Sequence, residues 1–211
     1  MKNKFLVACL CVALAVLTIA GTTLAYLTSQ DEVINTFTVG KVEIKLDEAK
    51  ANADGTLVEG ADRVKTNSYK LIPGHTYNKD PMVTVLSGSE SSYIKMTVTF
   101  SKANELDAIF APDGADLTSI FTGYNAANWI AKGSTKDTAA NTRTYEFWYK
   151  ETVAVPTADV ALDALFDSIT VPGTITNTQL ATIEGMTITV NAYAIQADGF
   201  ADADAAWAAF N

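Results

Sequence analysis

Strict alternation of apolar and polar residues constrains this chain more than any other feature. In "YIKMTVTF", residues 93–100, Ile94, Met96, Val98 and Phe100 share one face, and Tyr93, Lys95, Thr97 and Thr99 share the other. A period of two places one face in a core and one in water, as in a half-buried antiparallel strand. "MTITVNAYAIQ" repeats the pattern with Met186, Ile188, Val190, Ala192 and Ala194. "TYEFWYKETV" sets Tyr145, Phe147 and Tyr149 against Glu146, Trp148 and Lys150. "PMVTVLSG" and "DSITVPG" predict shorter strands, and the Thr and aromatic content suits all of these segments. Turns are expected at 53–55, 72–75, 87–92, 132–142 and 171–173, where Gly, Pro, Ser and Asn cluster. Helices are expected at 157–166 behind Thr157, at 202–210, and over a turn or so at 104–110. Strands outnumber helices, and their spacing predicts an all-β, two-sheet antiparallel sandwich with a few short helices.

The first 25 residues read differently. Lys2 and Lys4 precede an apolar run from Phe5 to Ile19, and the run ends in small residues with Thr23 and Ala25 at the positions a signal peptidase reads. The expectation is a signal-peptide helix over 1–25, cleavage before Tyr26, and a single secreted domain over 26–211. The alternative is an uncleaved anchor, since no charge occurs from Phe5 to Ser29. The membrane is then touched only through the uncleaved leader. Cys9 and Cys11 both lie in this leader, so the mature chain has no disulfide or thiolate chemistry. The leader holds two of the 15 basic residues and none of the 24 acidic ones. The mature chain is therefore strongly acidic, and nucleic acid is not an expected partner.

Motifs for chemistry are scarce. His75, the one histidine, sits in "LIPGHTYNKDP" with no HExxH around it, and no serine lies in GxSxG. There is no phosphate-binding glycine motif. "KANADG" at 50–55 resembles a calcium loop but carries Lys50 where the first carboxylate belongs, and "APDGAD" offers only Asp113 and Asp116. Trp129, Trp148 and Trp207 could stack on sugar, although packing is the commoner use of such residues. No catalytic residue, metal ligand or cofactor is assigned, and no enzymatic activity is expected.

The stretch after the leader alternates with a fault. Phe37 and Val39 are apolar at odd positions, whereas Val42, Ile44 and Leu46 are apolar at even ones, so the phase slips at Gly40. An extra residue at a glycine marks a β-bulge or a strand that changes partners. "GTTLAYLTSQDEVINTFTVGKVEIKL" resembles the start of the TasA/camelysin family, exported biofilm-fibre proteins of Gram-positive bacteria, with "NTFTVGKVEIKL" ungapped from Asn35 to Leu46. "LIPGHTYNKDPMVTV" and "NAYAIQADGF" resemble further landmarks of that family.

The resemblance implies export through a dedicated signal peptidase, a jelly-roll-like β-sandwich, and assembly into extracellular matrix fibres. It implies a donated strand over 26–39, carried by Val33, Ile34, Phe37 and Val39, with Gly40 as hinge and Val42 to Leu46 kept at home. The partners are then further copies of the chain and related minor fibre subunits. Strand physics alone leaves open that residues 33–46 form one ordinary edge strand of a monomer. Two other functions stand beside the fibre subunit: a monomeric surface binding module or adhesin, and a camelysin-like metallopeptidase, for which the chain lacks a zinc motif.

Overall fold

The computed structural model describes residues 39–110 and 121–210. The alternating stretches dominate it. β4 (Ser92–Ser101) buries every second residue, with Ile94, Met96, Val98 and Phe100 fully out of water. Burial of each such side chain contributes about 1.5–3 kcal/mol. β7 (Thr142–Tyr149) pairs antiparallel with β4 and sets Phe147 opposite Met96 and Tyr145 opposite Val98. β10 (Ile188–Gln196) pairs with the other side of β4, in register from Ile188–Phe100 to Gln196–Ser92. β6 (Trp129–Asp137) closes the far side, giving a four-stranded sheet of order β10-β4-β7-β6.

The remaining strands are short and form two further antiparallel sheets. β1 (Ile44–Asp47), β3 (Met82–Val85) and β8 (Val160–Ala161) make one, in the order β1-β3-β8. β2 (Thr76–Asn78), β9 (Ser168–Thr170) and β5 (Phe121–Thr122) make the other, in the order β2-β9-β5. The described residues thus form three hydrogen-bonded sheets where two were expected. Residues 79–81 separate β2 from β3: the Lys79 N–H goes to Asp167, and Pro81 has no N–H to continue a ladder.

One core joins all three sheets, an arrangement consistent with an all-β sandwich. Val83 and Val85 of β3, Ile169 of β9 and Phe121 of β5 belong to the same buried cluster as the inner face of β4 and β7. Phe121 lies at its centre, stacked on Phe166 at 4.5 Å and edge-on to Tyr145 at 6.0 Å. Among the described residues, three short helices complete the fold. α1 (Ala103–Phe110) buries Leu106. α2 (Asn177–Thr182) starts at a capping box, in which Thr176 Oγ1 accepts from the Gln179 N–H and the Gln179 side chain accepts from the Thr176 N–H. α3 (Ala203–Ala209) is capped by Asp202, whose Oδ1 accepts from the Ala205 N–H at 2.8 Å.

α3 covers the outer face of the large sheet. Trp207 packs 6.1 Å from Trp148, and Lys95 Nζ sits 4.5 Å from the Trp207 ring and 5.2 Å from that of Phe210. Such cation–π contacts contribute on the order of 1 kcal/mol each. Among the described residues, no helix is long and apolar enough to cross a membrane.

Two segments differ from the sequence expectation. Residues 157–166 are not helical: β8 pairs with Thr84 and Val85, and the Leu162 and Leu165 N–H groups go to Val83 and Pro81. Backbone pairing to β3 outweighs a short apolar repeat that begins after Pro156. Residues 132–142 are not all turn, because β6 runs on to Asp137 and only 138–141 turn. There Asp137 Oδ1 accepts from the Ala139 and Ala140 N–H groups, and Asn141 takes a left-handed φ of 52°.

Candidate functional site

The four-stranded sheet has two outer edges, and they are built differently. β6 carries Lys132, Lys136 and Asp137, and its register with β7 shifts between Ala131 and Gly133, where Gly133 has a φ of +110°. Charge and a bulge both discourage pairing with another strand. β10 has neither. Its nine residues include no charge, no Pro and no Gly. Among the described residues, no strand pairs with its outer side.

The register fixes which backbone groups face outward. The Ser101 N–H donates to Thr187 O and the Ala197 N–H to Ser91 O, so the odd-numbered residues of β10 are the ones that exchange hydrogen bonds with β4. The N–H and C=O groups of Ile188, Val190, Ala192, Ala194 and Gln196 therefore point away from the sheet. The side chains of the first four pack against the core. This edge is a template for a further strand.

The edge borders a groove of about 780 Å³. Ile188 and Val190 of β10 lie on one side of it, Leu46 of β1 on another, and Leu106 and Phe110 of α1 contribute further apolar surface. β1 is also a terminal strand. By the same parity argument, from the Leu86 N–H to Glu43 O bond, the backbone groups of Ile44 and Leu46 face away from β3.

One wall of the groove is polar. Arg63 Nε donates to Asp47 Oδ1 at 2.6 Å and its Nη1 to Asp80 Oδ2 at 2.8 Å, which ties the loop after β1 back to the strand. Burial pushes the Asp47 carboxyl up, but hydrogen bonds from Lys45 and Arg63 outweigh it and hold the group below its ordinary value. Beside it, Lys79 Nζ donates to Glu48 Oε2 at 2.6 Å, with both side chains over nine-tenths buried. Asn67 Nδ2 donates to the other oxygen of Glu48 at 3.0 Å. Burial, and then the Glu48 charge, raise the Tyr69 hydroxyl above its ordinary value, and that hydroxyl donates to Asn78 O.

The sequence-predicted residues fall as follows. Thr23, Ala25, Tyr26, Val33, Ile34 and Phe37 lie outside the described residues. Val39 is 97% exposed. Gly40 precedes β1 by four residues and belongs to no ladder; a Cβ there would come within 2.7 Å of Glu90 Oε1. β1 itself spans Ile44–Asp47, so Val42 lies before it. His75 is an exposed turn residue, and Asp113 and Asp116 lie outside the described residues. In the 50–55 loop, Asp54 Oδ1 accepts from the Thr56 N–H and hydroxyl, closing a local turn. Among the described residues, no three His, Cys, Asp or Glu side chains are grouped to hold a metal. Trp129, Trp148 and Trp207 are all at most 9% exposed and present no stacking platform.

Sequence reasoning missed the open β10 edge and the Glu48–Asn67–Lys79 cluster. The uncharged run 188–196 was a signal for the first. Nothing local signalled the second, because its members lie 12 to 31 positions apart. No family model, curated protein or solved structure matches the chain.

Proposed function

We propose that this chain is a secreted structural subunit of extracellular matrix fibres, with a jelly-roll-like sandwich as its body. In this reading residues 1–25 direct export, a signal peptidase cuts before Tyr26, and residues 26–39 of one copy add as a strand to the β10 edge of the next. The observation that carries the reading is the contrast between the guarded β6 edge and the open, uncharged β10 edge beside a groove. A long unguarded edge is a liability in a monomer and a docking site in an assembly.

Dimensions support the pairing. Nine residues of β10 span about 30 Å at about 3.3 Å per residue. The donated segment is long enough to cover that edge, and its apolar residues Val33, Phe37 and Val39 would meet the groove on one face. Addition of this kind is head-to-tail and does not close on itself, so it gives filaments. The resemblance of Asn35 to Leu46 to fibre-protein sequences points the same way.

The test compares purified residues 26–211 with residues 40–211 by sedimentation and negative-stain microscopy. The longer chain should form filaments and the shorter should stay monomeric. A synthetic peptide of residues 26–39 should bind the shorter chain and protect the β10 amides from hydrogen exchange. Equal behaviour of the two chains, or protection elsewhere than β10, would refute the proposal.

A further inference from the structure

We propose that Lys79 and Asn67 become covalently joined by an intramolecular amide, with Glu48 as the catalytic residue. The inference stands independently of fibre assembly. It rests on one carboxylate holding two groups that can react with each other. Glu48 Oε2 accepts from Lys79 Nζ at 2.6 Å, and Glu48 Oε1 accepts from Asn67 Nδ2 at 3.0 Å. A carboxylate with one oxygen on an amine and the other on a carboxamide NH2 is placed to move a proton from the first to the second.

The other half of the carboxamide is also held. Asn67 Oδ1 accepts from the Ala51 N–H at 3.0 Å, and Nδ2 donates a second bond to Ala49 O at 2.9 Å. The amide plane is therefore fixed, and a backbone donor already sits on the oxygen where negative charge would develop during attack. Lys79 and Glu48 are 7% and 6% exposed. A lysine freed of its proton is the nucleophile that amide formation needs, and the Glu48 carboxylate is in direct contact with Lys79 Nζ to take that proton. Tyr69, edge-on to Tyr77 at 5.4 Å, lines the same groove as the cluster.

The step balances without any added reagent. Lys79 passes a proton to Glu48, and the free Nζ attacks Cγ of Asn67. The oxygen charge is held by the Ala51 N–H. Glu48 returns the proton to Nδ2 and then takes the second proton of Nζ. The Cγ–Nδ2 bond breaks as the Nζ–Cγ bond persists, and the leaving ammonia carries that second proton away as ammonium, which restores the Glu48 carboxylate. One carbon–nitrogen bond replaces another, and nothing is oxidised or reduced. Anchoring on one shared carboxylate supplies the positioning that an exposed lysine and asparagine lack. The product closes a covalent ring from Asn67 to Lys79 along the polar wall of the groove.

Mass spectrometry tests this directly on the full chain, with its amino terminus fixed by sequencing. The intact mass should fall below the sequence mass by one ammonia, and a digest should yield a branched peptide joining Asn67 to Lys79. Trypsin should not cut after Lys79. Lys79→Arg keeps a cation on Glu48 but cannot form the amide, and it should show the full mass, as should Asn67→Ala. Glu48→Gln keeps both reacting partners and should also stay at full mass. A wild-type chain of full mass that trypsin cuts after Lys79 overturns the proposal. So does the same ammonia loss in Lys79→Arg, which would place it elsewhere. Retention of the branched peptide in Glu48→Gln would overturn the role given to Glu48.

Discussion

Proline scanning of β10 separates the strand's inner side from its outer side. Proline removes one N–H, and its consequence depends on where that N–H points. The Asn191 N–H belongs to the set bonded to β4, opposite Thr97, whereas the Ala192 N–H faces away from the sheet. Asn191→Pro deletes a ladder bond and leaves the Thr97 carbonyl short of a partner, which should cost about 2–4 kcal/mol. Ala192→Pro deletes no bond within the sheet, and its half-buried side chain changes little in volume, so the cost should be about 1 kcal/mol. Urea unfolding of the 40–211 chain measures both. In the 26–211 chain, on the proposed strand addition, the order should reverse in significance. Ala192→Pro removes a central outward donor and should raise the concentration needed for filaments by at least about tenfold, equivalent to about 1.4 kcal/mol. Equal destabilisation by the two prolines would refute the assigned edge. Unchanged assembly of Ala192→Pro would refute pairing at that edge.

Three further outcomes are expected. Trp207→Ala should lower stability by about 3 kcal/mol, because the side chain is 7% exposed and holds α3 against Trp148 and Lys95; urea unfolding checks it, and a loss of a few tenths would mean that α3 contributes little. Phe166→Ala removes the ring stacked on Phe121 at the meeting of the sheets and should cost about 3–5 kcal/mol in the same assay. Asp47 and Asp107 are both held below the ordinary aspartate value of 3.8, despite burial, by hydrogen bonds from Lys45 and Arg63 and from Arg143 and Lys136 respectively. Their folded values lie under their unfolded ones, so this stability is fully present above 3.8 and is lost as pH falls through the lower folded values. Asp47→Asn should flatten the acid limb of a stability-against-pH curve, and an unchanged slope would refute that contribution.

β4, β7 and β10 were legible because each sends alternate side chains into one core, and Phe100, Phe147 and Val190 carry that period in the sequence. β6 was not legible: it is an edge strand, and from Lys132 to Lys136 it buries nothing, so no alternation marks it. The 157–166 segment misled because Val160, Ala164 and Leu165 fit a helical stripe by accident of short length. Their actual environment is set by β3, some 75 positions earlier. α2 went unnoticed although Thr176 and Gln179 spell a capping box, because it buries no side chain to supply a periodic signal. At the candidate site, the uncharged character of β10 could be read from residues 188–196. That it lies at an edge depends on the strand order, which no local pattern encodes. The position of Lys79 beside Glu48 and Asn67 depends likewise on how β1, the 60–70 loop and the turn after β2 converge.

The lysines and the glycine kink of β6 have a bearing on the shape any aggregate can take. A sheet that accepts a neighbour on one flank and rejects it on the other has only one direction of accretion. Strands cannot keep stacking sideways through successive molecules, so the route to a broad cross-β plaque is blocked at the second step. On the proposed strand addition, growth runs through the polypeptide's own length, one body per link, with each folded unit keeping its individual core.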